Sequence, residues 1–366
     1  MDTITHALMG AQVALAVPMG EASGRRLGTC ERLLLGAAAG AFPDIDFLGF
    51  LVDPLRFLAH WHQGPTHSLL LLPAWGALLA GLFCLATRRR QAWREALGVS
   101  CLGVASHIAL DLITVYGTRI FYPGSERRFS LGTTFLVDPL LSGIVVSGLG
   151  LALCRPPRRR ARAALAGLGL LCAYVGVQGV LRHRALELGN ESLHAAGIQA
   201  QGVDALPQPF SPFNWKLIAR AETDYHVAHV NLAGHPAWVP PWQVLGRLPA
   251  MARAYVPPAR MAWTQRPRLP QARAERALAW QLWARPDFAD FRRFAVYPAL
   301  SAITAMRATP LPPGEAAACV WFTDLRYDLP AVEDIFRYGY CRASAQAPWR
   351  LYRLAYFSQD QRQRLD

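Results

Sequence analysis

The sequence predicts a mainly α protein: a polytopic membrane helix bundle with an appended soluble β-rich (α+β) C-terminal domain. Hydrophobic residues make up 52% of the 366 positions and charged residues only 17%, and mean hydropathy is +0.16. That is too apolar for a disordered chain and unusual for a soluble enzyme. The net charge of +13 resides almost wholly in arginines gathered into short blocks between apolar runs. Such blocks fit topology determinants better than a nucleic-acid face, so no nucleic-acid partner is expected. From about residue 183 the composition shifts: residues 190–366 hold eight of the eleven tryptophans and most of the prolines, with no run long enough to span a membrane. The expected division is a bundle over 1–185, a linker over 186–213 and an extracytoplasmic β-rich domain over 214–366.

Residues 68–86, 96–115, 135–154 and 163–181 approach or reach the roughly 20 apolar residues a spanning helix needs. Residues 4–20 and 33–42 are short for full spans. In the latter, Gly36 and Gly40 have the small-xxx-small spacing that lets another helix approach closely. The segment at 4–20 has no basic region before it, so it is expected to remain in the mature protein. Arginine clusters fall in alternate connections: Arg25 and Arg26; Arg88, Arg89, Arg90 and Arg94; and Arg155, Arg158, Arg159, Arg160 and Arg162. With all three in the cytoplasm, the connections near 44–66 and 116–134, and everything after residue 181, face outward. Beyond the bundle, 215–230, 318–325 and 349–357 alternate like strands, and 273–284 has helical periodicity. Seven cysteines contain no C-x-x-C pair. Cys319 and Cys341 could pair in an oxidising compartment, and a disulfide and two free thiols are both open readings.

Ionisable groups in apolar segments are costly, so each one is a functional hypothesis. Here they are His6, Asp44, Asp46, His62, His67, His107, Asp111 and Asp138, and the topology above puts all of them toward the outward side. His107 and Asp111 are i and i+4 on a helix and can share one ion. Gly64-Pro65 breaks any helix after His62; Thr66 then reads as an N-cap with His67 on the first turn of the next helix. Asp138 before Pro139 reads as a helix cap, and His60 beside Trp61 as an interfacial bystander. The expected metal ligands are His67, His107, Asp111 and Asp46, with His6 serving a second ion. Asp44 or His62 is expected as base or as orienter of a ligand. The nitrogen and oxygen donor set, without cysteine, favours one or two divalent ions: zinc, with manganese or iron as alternatives. Such an ion lowers the pKa of a bound water that attacks an ester. An outward pocket at the bilayer edge points to membrane lipids as surroundings and to a small-molecule or lipid substrate.

The motifs resemble the YdjM-type family, described as LexA-binding, inner-membrane-associated metal-dependent hydrolases. The matching elements are the opening Met1-Asp2-x-x-Thr5-His6, then Phe42-Pro43-Asp44-x-Asp46, His62-x-Gly64-x-Thr66-His67-Ser68 and Ser106-His107-x-x-x-Asp111-x-x-Thr114-x-x-Gly117. Arg128-Phe129, Val137-Asp138-Pro139 and Pro207-x-Pro209-Phe210-x-Pro212-x-x-Trp215 resemble longer members more loosely. Gln63 departs from the arginine that members often carry there. The resemblance implies a multi-pass protein of the bacterial inner membrane, a metal-dependent hydrolase activity and, by label, a LexA-type partner. A fainter similarity to zinc phospholipase C and P1-type nucleases suggests phosphate esters, which makes Arg119, Arg127 and Arg128 candidate phosphate binders. Two other functions compete: a transporter or ion pathway, which wants polar groups on both sides of the midplane, and a partner-binding regulator without catalysis. H-E-x-x-H, G-x-S-x-G and P-loop motifs are all missing from the sequence.

Overall fold

A computed structural model describes residues 1–17, 27–234, 248–304, 318–332, 334–356, 358 and 360–365. Arg25 and Arg26 lie outside these. The chain divides into two compact units, Met1–Val52 with His60–Leu181, and Asp53–Ala59 with Arg182–Asp366.

The first unit is helical. Helix α1 (Thr3–Ala16) starts at Asp2, whose carboxylate accepts from the Thr5 backbone N–H at 2.9 Å, satisfying a donor that the first turn otherwise leaves open. It packs on α2 (Thr29–Ala41) glycine against glycine. A methyl on Gly10 would press into the Gly36 carbonyl and come within 2.9 Å of the Gly40 Cα. The small-residue spacing of α2 thus serves the approach of α1. A 3₁₀ turn (Phe42–Phe47, opened by Pro43) and α3 (Leu48–Val52) follow; α4 (Pro54–Arg56), next in the chain, belongs to the second unit. A further 3₁₀ turn at Pro65–His67 leads to α5 (Leu72–Ala86), and then come α6 (Trp93–Leu112), α7 (Pro139–Leu153) and α8 (Pro157–Ala195).

Among the described residues, three stretches are long and apolar enough to cross a membrane: Thr29–Val52, Arg90–Leu112 and Pro157–Ala195. The pair Pro54–His67 and Leu72–Ala86, bent by 71°, makes a fourth if counted as one span. The segments therefore differ from the expected set. The one expected to be short, 33–42, lies within a 24-residue stretch because α2 runs through the 3₁₀ turn into α3. The one expected at 135–154 yields a helix of only 15 residues. Asp138 delays its start by accepting from the Leu140 and Leu141 N–H groups at 2.9 and 3.0 Å. Fifteen residues rise about 22 Å, short of a hydrocarbon core of about 30 Å. Residues 186–195, expected in a linker, continue α8, with no proline to interrupt it.

The second unit carries two antiparallel sheets. The first has the order β1 (Val203–Pro207), β2 (Asn214–Arg220), β3 (Asp224–Asn231), β4 (Thr264–Pro267). Residues 215–230, expected as strand material, form the β2–β3 hairpin. Polar Glu222-Thr223 turns the chain, and Ala221 N–H donates to the Asp224 carbonyl at 3.0 Å. Strand β1 also occupies part of the expected linker. The second sheet is β5 (Pro298–Thr304), β6 (Ala318–Asp324), β7 (Tyr338–Arg342), β8 (Arg350–Leu354), β9 (Arg362–Arg364). The helices are α9 (Leu248–Arg253), α10 (Arg273–Trp283) and α11 (Ala289–Phe294). Phe288, Phe291 and Phe322 pack with Trp283 in an aromatic core. Cys319 and Cys341 face each other across β6 and β7, 4.1 Å apart at Cα, and form a disulfide.

Candidate metal centre

Helix α6 supplies two of the central groups. His107 and Asp111, one turn apart on its buried face, put Nε2 3.3 Å from Oδ2. The 3₁₀ turn at Pro65–His67 brings His67 Nε2 to 3.0 Å from His107 Nε2 and 3.1 Å from Asp111 Oδ2. His67 is therefore not on the first turn of α5, which begins at Leu72. Gly64 and not Thr66 stands before this turn, and the Thr66 hydroxyl lies 3.0 Å from His67 Nδ1.

Proton bookkeeping makes this triangle unusual. His107 Nδ1 lies 2.6 Å from the Gly40 carbonyl, which can only accept, so Nδ1 carries the proton. The other ring nitrogen, Nε2, points at a carboxylate oxygen and at another imidazole nitrogen. All three side chains are at most 1% exposed. Asp111 Oδ2 lies within 3.3 Å of both imidazole nitrogens, and among the described residues it accepts no hydrogen bond of good geometry. Lone pairs clustered this closely in a buried place are costly unless a proton or a cation lies among them. Ligands about 2.0–2.2 Å from a tetrahedral zinc stand roughly 3.3 Å from one another. The edges of 3.0, 3.1 and 3.3 Å match one face of such a tetrahedron.

His6, from α1, stacks on His107 with ring centroids 3.6 Å apart, and its Nε2 is 3.2 Å from Asp111 Oδ1. Both of its ring nitrogens are buried, and among the described residues neither makes a hydrogen bond of good geometry. Asp44 Oδ1 lies 3.6 Å from His107 Nε2, while its other oxygen accepts from the Thr3 hydroxyl. His6, Asp44 and His107 form one possible ligand group, and His67, His107 and Asp111 another, each with its ligand atoms within 4.8 Å. The Met1 amino group also donates to Asp111 Oδ1 at 2.7 Å.

The neighbouring carboxylate, Asp46, takes a different place. Its oxygens lie 3.2 Å from His62 Nδ1 and 3.6 Å from His67 Nδ1, on the far side of the His67 ring from the triangle, and one accepts from the Gln63 N–H at 3.0 Å. The two carboxylates thus hold the opposite positions from those expected: Asp44 faces the ligand nitrogens and Asp46 backs the imidazoles. Among the described residues His62 joins neither ligand group.

The arginines of the loop after α6 brace structure. Arg119 is buried, donates to the His60 carbonyl and takes the Gln63 carbonyl through its backbone N–H at 3.0 Å. Arg128 donates to the Gly117 carbonyl at 3.3 Å and covers the Tyr116 ring; Arg127 covers Phe129. Asp138 caps α7, accepts from the Tyr174 hydroxyl at 2.6 Å and lies apart from the cluster. Four contributors carried no sequence signal as site residues: Thr3, the Gly40 carbonyl, the Thr66 hydroxyl and Gln63. Gln63 adopts a positive φ of 53° and accepts from Thr118 at 2.9 Å.

No curated protein and no solved structure matches the chain. A family model described as YdjM inner membrane protein matches residues 1–185, the stretch that holds every residue of the cluster. With half of the sequence under that match, the chain belongs to the YdjM inner membrane protein family.

Proposed function

We propose that the protein is a metal-dependent hydrolase of the bacterial inner membrane, acting on an ester or phosphoester, lipid or lipid-linked, at the outer face. The observation that carries this reading is the buried triangle of His67 Nε2, His107 Nε2 and Asp111 Oδ2. These three would hold one divalent ion, zinc by donor set with manganese or iron as alternatives, and His6 would complete its shell or serve a second. When bound, the ion supplies Lewis acidity toward a substrate oxygen or water.

The chain's own groups have separate tasks. The Gly40 carbonyl fixes the His107 tautomer, and Asp46 with the Thr66 hydroxyl holds the His67 ring by Nδ1. Asp44 Oδ1, beside the ligand nitrogens and less buried than Asp111, is the proton acceptor, with the His62–Asp46 pair as the next stage. Arg119 and Arg128 shape the adjoining loop and offer positive charge toward a phosphate. The Cys319–Cys341 disulfide supports an oxidising location for the C-terminal unit. Detergent-purified protein screened against phosphate and carboxylate esters of lipids, before and after chelation, tests the reading. Hydrolysis lost on chelation and restored by zinc or manganese supports it, and activity indifferent to chelator removes it.

A further inference from the structure

A cavity lies away from the metal cluster, toward the end of α7 opposite Asp138. It measures about 580 Å³ between α7 and α8, within the range of about 300–1,000 Å³ for small-molecule sites. Its walls are apolar, with Ile144 and Leu151 from α7 and Leu170 from α8; both leucines are 57% exposed. Gly148 and Gly167 form its floor, so close that a methyl on Gly167 would lie 2.8 Å from the Gly148 Cα. One end holds three guanidiniums, those of Arg155, Arg159 and Arg162.

One of them, Arg159, stands where a helix disfavours positive charge. Arg158, Arg159 and Arg160 occupy the first turn of α8, which contains no acidic residue, and a helix N-terminus already carries partial positive charge. Among the described residues no carboxylate pairs with Arg155, Arg159 or Arg162. In the other arginine block, by contrast, Arg89 meets Glu31 at 3.0 Å. An apolar groove with unneutralised positive charge at its mouth is complementary to an amphiphile with a negative head.

We propose that this cleft binds an anionic phospholipid, its phosphate against Arg155, Arg159 and Arg162 and an acyl chain along Ile144, Leu151 and Leu170. A free phosphate would leave the apolar walls unused. The site is independent of the hydrolytic reading, since none of its residues belongs to the metal cluster.

Native mass spectrometry of the full chain released from detergent, supplied with equal phosphatidylglycerol and phosphatidylcholine, tests it, with metal content and thermal melting as checks on folding. Phosphatidylglycerol should be retained in preference. Retention should fall at least about tenfold in the triple variant Arg155→Gln, Arg159→Gln, Arg162→Gln. It should persist in Arg88→Gln, Arg89→Gln, Arg90→Gln, which removes the same charge elsewhere. Ala166→Trp, which fills the groove and keeps the arginines, should also lose the lipid. Equal retention of both lipids, equal loss in the two triple variants or undiminished binding in a folded Ala166→Trp would each overturn the proposal.

Discussion

His67 and His107 meet through their Nε2 atoms at 3.0 Å, and the His107 proton is committed to the Gly40 carbonyl on the other side of its ring. Two imidazoles in that relation and a buried carboxylate form a group that could hold a cation. The nearby carboxylates then differ in kind. Asp111→Ala should abolish binding of added zinc, whereas Asp46→Asn, which disturbs only the group behind the His67 and His62 rings, should weaken it about 10–100-fold. Competition titration with a chromogenic chelator measures both. Equal, complete loss in the two variants would make Asp46 a direct ligand.

Helix packing sets the position of His6. Gly10 and Gly36 admit no methyl between α1 and α2, so Gly10→Ala should cost about 1–3 kcal/mol through overpacking and weaken zinc binding as His6 shifts. Gly81→Ala, with nothing within 4 Å of the added carbon, should be neutral or slightly stabilising. Thermal melting in detergent compares them. Equal melting temperatures would show that the glycine contact carries no weight.

The β-rich unit has its own pH dependence. Burial, with Lys216 nearby, pushes His229 down to about 3 from an ordinary value near 6.5. The unfolded chain therefore takes up a proton below about 6.5 that the folded chain refuses until about 3. The stability held above that window should decline as pH falls through it. His229→Phe should flatten this part of the profile. Urea midpoints between about pH 7 and about pH 4.5 report the slope, and a slope unchanged by the substitution would assign it to other groups.

The disulfide and the orientation can be tested together. Cys319 and Cys341, 22 residues apart, close a loop whose loss should cost about 3 kcal/mol. Alkaline phosphatase fused after Asp366 should be active if this unit lies outside the cytoplasm. Maleimide labelling of intact cells should find the two thiols blocked until a reductant is added. An inactive fusion together with freely labelled thiols would invert the topology.

The site was more legible than the frame around it. His6, His67, His107 and Asp111 stood out because an ionisable group inside an apolar run is costly unless it has a task there, and the structure brings all four together. The exchange of places between Asp44 and Asp46 was not readable. Two carboxylates separated by one residue in a 3₁₀ turn point to different sides, and the local sequence had not shown that this turn follows α2. The Gly40 carbonyl is backbone and leaves no trace in residue type. Hydropathy located the apolar runs but misjudged their helical extents, since Asp138 caps α7 late and α8 continues past its apolar portion to Ala195. The hairpin at Glu222-Thr223 was hidden because both of its strands share one alternating pattern.

X-ray absorption at the zinc edge, on zinc-loaded full-length protein, tests the metal centre most directly. The expected spectrum shows nitrogen and oxygen neighbours at about 2.0–2.1 Å with the multiple scattering of at least two imidazoles, and His107→Ala should lose one imidazole or fail to load. Protein that binds no stoichiometric metal, or a His107→Ala spectrum identical to the parent, would contradict a site built on His67, His107 and Asp111.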